Sequence, residues 1–274
     1  METRNARQSL RDVVRVLSVA NYGAPKANFL EEAKRILEAA KEREITLRLM
    51  GAAAIRMRSP SSVRFHEEVL ERSLSDLDFM TYSRHTREVR KLLQDLNYVW
   101  DEVIARVSQY RDIFHDTVNK RICDVFYDRL HMCHTIEFKD RLKIDYPTIP
   151  VADLLLEKLQ IVKLNEKDVK DLVVLFKEHP VAETDENAVN CKYVASLLAN
   201  DWGFYYTATT NLKRLRDDLI LTYDIPQEDV DRIRARINEL LEAIEKTPKS
   251  LKWKMREKVG TKQKWYRDVE EVVR

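Results

Sequence analysis

Residues 72–80, Arg-Ser-Leu-Ser-Asp-Leu-Asp-Phe-Met, change character halfway along, where polar and apolar side chains begin to alternate. Alternation of period two predicts a strand whose successive side chains point to opposite faces. Asp76 and Asp78 then share one face while Leu77 and Phe79 take the other. Two carboxylates at i and i+2 repel one another unless a cation lies between them. Magnesium suits that geometry, because it takes hard oxygen ligands and keeps waters or substrate phosphates in its remaining positions.

The neighbouring segments extend this pattern. Ile45 to Met50 is a second β-type run, halted by Gly51 and followed by helix-prone Ala52 to Met57. Glycine is scarce, with four in 274 residues, so one placed between a strand and a helix implies a backbone requirement. The first amides of such a helix can hold phosphate oxygens. Downstream, a helix is expected over 86–96, then β-rich segments at 110–114 and 121–127 joined by a connection at 115–119, with short strands at 135–138 and 141–144. In Arg121 to Tyr127 the alternation sets Ile122, Asp124 and Phe126 on one face, where an acid is costly unless it is paired or metal-bound.

Two helices are expected before this region, over 6–19 and 27–43, joined by a turn at 21–25. From Pro150 onward the pattern is helical, which puts a domain boundary near Pro147. Val151, Leu154, Leu155, Leu159 and Val162 form a buried stripe into which Lys158 falls, and a lysine at such an edge needs an anion. The clearest helix runs from Pro226 to Glu245, with Asp224 as its candidate cap and Val230, Ile233, Ile237, Leu240, Leu241 and Ile244 as its stripe.

The order strand, Gly51-Ala52, helix, Asp76-x-Asp78, then Asp124 on a later strand resembles the nucleotidyltransferase superfamily with the DNA polymerase β-like fold. The resemblance implies an α+β fold with a nucleotidyltransferase-like mixed sheet and flanking helices, which the pattern places over 1–147, followed by a helical domain over 148–245 and a basic tail over 246–274. It also implies that Asp76, Asp78 and Asp124 are catalytic and bind two Mg2+ ions, and that Gly51, Ala52 and Ser75 contact the nucleotide. A narrower resemblance covers Leu47 to Leu175. Arg72 to Phe79, Cys123 to Tyr127, Ala152 to Gln160 and Asn165 to Leu172 look like the abortive-infection AbiEii-type nucleotidyltransferases, a group that includes toxins of toxin–antitoxin pairs. That group's helical lysine and later basic-Asp-x-x-Asp motif match Lys158 and then Lys167, Asp168 and Asp171, which implies nucleotide contact for Lys158 and a supporting or catalytic role for Asp168. The chain departs from the family in having Ala52 where a serine is usual, so the backbone amides remain but a hydroxyl is lost.

The expected activity is transfer of a nucleoside monophosphate from an NTP to an acceptor hydroxyl, with RNA or tRNA the first acceptor and a cognate antitoxin a further partner. The alternative is a catalytically silent module of the same fold that binds nucleotide, RNA or a partner protein. Other classes fit less well. His131, Cys133 and His134 lack the spacing of a familiar zinc site. The longest uncharged apolar run, Leu49 to Ile55, falls far short of the about 20 residues of a spanning helix. No membrane span is expected, and the charge-broken start of the chain does not read as a secretory signal, so a cytoplasmic location is expected. From Lys246 onward ten Lys/Arg face four acids. Trp253, Trp265 and Tyr266 among them fit either stacking on RNA or docking of the tail on the body.

Overall fold

The computed structural model describes residues 22–108 and 110–269, so the helix expected over 6–19 lies outside the described residues. Asn28 opens the first described helix, α1 (Phe29–Glu42), by accepting from the backbone N–H groups of Leu30 and Glu31. It packs on β1 (Leu47–Met50) and β2 (Asp76–Thr81), with α2 (Gly51–Arg58) between the two strands in the chain. After β2 come α3 (Thr86–Asp95), β3 (Val99–Trp100), α4 (Glu102–Val107), β4 (Arg111–Asp116) and β5 (Arg121–Tyr127). These strands form one mixed sheet in the order β1-β2-β5-β4-β3, antiparallel throughout except for the β2–β5 pair.

One face of the parallel pair is apolar. Leu77, Phe79, Cys123 and Val125 are fully buried on one face, so both central strands need cover there. The opposite face carries Asp78 directly beside Asp124. A short hairpin, β6 (Arg129–His131) with β7 (Thr135–Glu137), follows the sheet. The strand expected at 141–144 is instead a turn. Arg141 is drawn away from any ladder because its guanidinium donates to Asp153 at 2.8 Å and to Asp185 at 2.6 and 3.1 Å.

Beyond Pro147 the chain changes to α5 (Val151–Leu159), α6 (Glu166–Glu178), α7 (Cys191–Leu198), α8 (Trp202–Asp217), α9 (Gln227–Lys246) and α10 (Leu251–Val259). A two-stranded parallel ladder, β8 (Val181–Ala182) with β9 (Val189–Asn190), interrupts the helices. The two halves share one hydrophobic core, and the backbone at residues 147–149 is hydrogen-bonded to Leu49 of β1. Both α5 and α6 rest on α2. The stripe on α9 is buried as expected, although Pro226 rather than Asp224 stands at its N-cap. The stripe on α5 ends at Leu159, and Val162 lies past the helix.

The basic tail is folded onto the body in residues 246–269. Trp253 is buried with its edge toward Tyr205, whereas Leu251 is exposed. Trp265 packs edge-on to Tyr206, and its indole N–H donates to Thr207 Oγ1 at 3.0 Å. Arg267 reaches the turn between β6 and β7, donating to the Met132 carbonyl at 2.9 Å and to Thr135 Oγ1 at 2.8 Å. Docking therefore occupies the indoles that a stacking surface would need. Trp265→Ala should lower stability by about 2 kcal/mol in denaturant unfolding, and an unchanged midpoint would contradict a docked tail.

Candidate functional site

Asp76 and Asp78 project from the first half of β2 on the face opposite Leu77 and Phe79, as the alternation requires. Pairing in register puts Asp78 against Asp124 and Asp76 against Ile122. Neighbouring strands run about 4.8 Å apart, so Asp78 and Asp124 are adjacent like charges. Asp124 is fully buried on the central strand rather than at an exposed edge. Ser75 is exposed, and its hydroxyl donates to Asp76 Oδ1 at 3.3 Å.

Gly51 completes the contact. Its φ of +69° is a conformation that favours glycine, and a Cβ built there would lie 2.3 Å from Asp78 Oδ2. The turn from β1 into α2 thus favours glycine on two counts, its backbone angle and the space beside the Asp78 carboxyl. Ala52 is buried in the first turn of α2, whose N-terminus has no side-chain cap.

Packing of α5 and α6 against α2 brings in the second half of the chain. Lys158 donates to Asp168 and Asp171 at 3.3 and 3.0 Å. Burial alone would lower its pKa, but Asp171, Asp168 and Glu157 outweigh that and hold the ammonium charged. Asp168 also forms a capping box with Asn165 at the start of α6, so it has a local structural role beside its contact with Lys158. Asp171 is a buried hub: burial pushes its carboxyl up, yet Lys158, His66 and Arg72 together hold it well below the usual carboxylate range. Arg72 reaches it at 3.1 and 3.2 Å and His66 at 3.1 Å.

Two further residues belong to the site, and sequence reasoning missed both. Glu157 is buried on α5, where its Oε2 accepts from the Gly51 N–H at 3.3 Å while its Oε1 has no hydrogen-bond partner. Arg111, at the start of β4, donates from Nε and Nη2 to the two oxygens of Asp124 at 3.1 and 2.8 Å. The signal for Glu157 was an acid that falls, with Asp153 and Lys158, in a leucine-rich helix whose residues are almost all buried. Arg111 gave none, because only strand pairing brings it to Asp124.

Electrostatics tie these groups together. Burial, then Asp124 and Glu157, raises the Asp78 carboxyl to about 8 against the pull of Lys158 and Arg111. Burial raises Glu157 to about 8 despite Lys158 and the Gly51 amide. Asp124 is raised by burial and lowered in part by Arg111. What this cluster requires is positive charge, and its carboxylate oxygens together with the unpartnered Glu157 Oε1 suit a hard divalent ion in donor chemistry. Among the described residues no three His, Cys, Asp or Glu side chains form a ready-made cation cage, and Asp124 is turned toward Arg111.

The arginines of residues 56–72 are largely held inside the fold. Arg56 pairs with Glu67, Arg58 with Asp145 and Arg72 with Asp171, which leaves Arg64 exposed. A groove of about 740 Å3, walled in part by Asn28, Phe29, Arg56, Arg72, Ser73 and Leu74, runs beside the segment that leads into β2. Cys123, Cys133 and Cys191 are free thiols, and His134 stacks on Phe204 while it bonds Thr207. No helix among the described residues is long and apolar enough to cross a membrane. No family model matches the chain, and neither a curated protein nor a solved structure is detectably similar to it.

Two outcomes follow from this geometry. Gly51→Ala should cost about 3 kcal/mol of stability, and about 1 kcal/mol when Asp78 is also alanine, because only the backbone penalty then remains. Equal costs in both backgrounds would contradict the contact. The raised carboxyls of Asp78 and Glu157 hold protons that the unfolded chain has released, so without a divalent cation stability should fall as the pH climbs from the ordinary carboxylate range through about 8. Asp78→Asn should therefore be more stable than the parent at pH 9 by about 1–3 kcal/mol, and a destabilised variant would refute the assigned crowding.

Proposed function

We propose that the chain is a metal-dependent nucleotidyltransferase, with a fold like that of the superfamily it resembles, which moves a nucleoside monophosphate from an NTP to an acceptor hydroxyl. The observation that carries this reading is the register of Asp78 beside Asp124 on parallel strands, with Gly51 pressed against Asp78 at the mouth of α2. In-line phosphoryl transfer is mostly positioning and charge stabilisation, so a site of this kind needs carboxylates for cations and amides for phosphate oxygens.

In the proposed reaction the acceptor oxygen forms a bond to the α-phosphorus while the bond from that phosphorus to the pyrophosphate oxygen breaks. Pyrophosphate leaves with the electron pair, and the acceptor proton passes to Asp124. Magnesium, when bound through Asp76 and Asp78, supplies charge neutralisation for the triphosphate. The Gly51–Ala52 turn admits the phosphates, Ser75 orients Asp76, and Lys158, held by Asp168 and Asp171, keeps a fixed positive charge beside Asp78. RNA, tRNA first, is the acceptor class to test, and a toxin role with a cognate antitoxin rests on the resemblance alone.

A second reading, a silent module that binds nucleotide, RNA or a partner protein, is favoured by one specific feature. The Gly51 amide already holds Glu157, and Asp124 already holds Arg111, so two positions that substrate or cation would use are filled from within. Label transfer from α-phosphate-labelled NTPs to cell RNA and protein separates the two readings. Label should appear with magnesium and fall at least about a hundredfold in Asp78→Asn. Nucleotide binding without transfer to any acceptor would instead favour the silent module.

A further inference from the structure

A site for two divalent ions normally asks three carboxylates to share four positive charges with the triphosphate. Here the third carboxylate is already neutralised. Arg111 clasps both oxygens of Asp124 in a two-point ion pair of 3.1 and 2.8 Å, and its guanidinium also lies 5.3 Å from the centre of the Phe126 ring. Arg111 is drawn from β4 and Asp124 from β5, two strands hydrogen-bonded along Arg111–Asp116, so the pair is held by the sheet and not by a mobile loop. Asp124 is fully buried, and the Arg111 side chain is 19% exposed. A guanidinium in such a fork stays charged at any working pH and matches a carboxylate in two places.

We infer that Arg111 takes the place of a second metal ion, so that this chain binds one divalent cation, through Asp76 and Asp78, and uses the Arg111–Asp124 pair where a second ion would sit. The inference rests on the nucleotidyltransferase reading of the same carboxylates. Geometry supports it: with Arg111 donating to both oxygens of Asp124, the third carboxylate is engaged by a guanidinium where a second ion would bind. In this arrangement Asp124 serves as an acceptor for the attacking hydroxyl's proton, positioned by Arg111, and is no metal ligand.

Counting bound Mn2+ by electron paramagnetic resonance tests this, with the full chain alone and with a non-hydrolysable α,β-methylene NTP. One ion per chain is expected in both conditions. Asp124→Asn should keep that single ion with affinity within about threefold, whereas Asp78→Asn should weaken it at least about tenfold. Arg111→Met should admit a second ion in the nucleotide complex. Two ions on the unaltered chain, or loss of the ion in Asp124→Asn, would overturn the inference while leaving nucleotidyl transfer intact. No bound ion at all, with or without nucleotide, would overturn it together with the metal-dependent reading. The count on the unaltered chain decides the matter even if the Arg111 variant fails to fold.

Discussion

Carboxylates crowded side by side on two parallel strands are the constraint around which the structure is arranged. Asp78 and Asp124 lie side by side in register, and Glu157 comes in from α5. Burying like charges together is expensive unless protons or cations compensate them. The protein answers with two fixed cations at the edges, Arg111 on Asp124 and Lys158 near Asp78, and leaves Asp78 and Glu157 with raised carboxyls. Such a site is poised to take up positive charge.

The surrounding fold follows from that arrangement. Glycine is favoured at position 51, because a side chain there would crowd the Asp78 carboxyl at a positive φ. Lys158 can stand beside the acids only if α5 and α6 pack on α2, which explains why the two halves of the chain share one core. Asp171, gripped by Lys158, His66 and Arg72, ties α6 to the segment entering β2. Removing one partner from a buried network of this kind leaves the others uncompensated, so the hub and the site stand together.

Much of this was legible in local sequence. Alternation at Asp76 to Phe79 fixed the shared face of the two acids, and the Gly51 break located the strand-to-helix turn. Helical spacing gave the buried stripe of α9. Tertiary pairing was the part that local patterns could not carry. Arg111 reaches Asp124 only through the β4–β5 register, and Arg141 was read as part of a strand because its attachment to Asp153 and Asp185 is set by packing. Glu157 was hidden by a leucine-rich helix whose position over Gly51 depends on the whole fold. The tail aromatics fitted either docking or RNA stacking in the sequence, and Tyr205, Tyr206 and Thr207 receive them in the fold.

The most direct test of a site short of positive charge is a carboxyl 13C NMR titration of Asp78 and Glu157 in the cation-free protein, repeated with magnesium. The account predicts that both carboxyls titrate near 8 without magnesium, and that Asp78 moves down toward the ordinary carboxylate range when magnesium is added. Titration of both near 4, unchanged by magnesium, would contradict it.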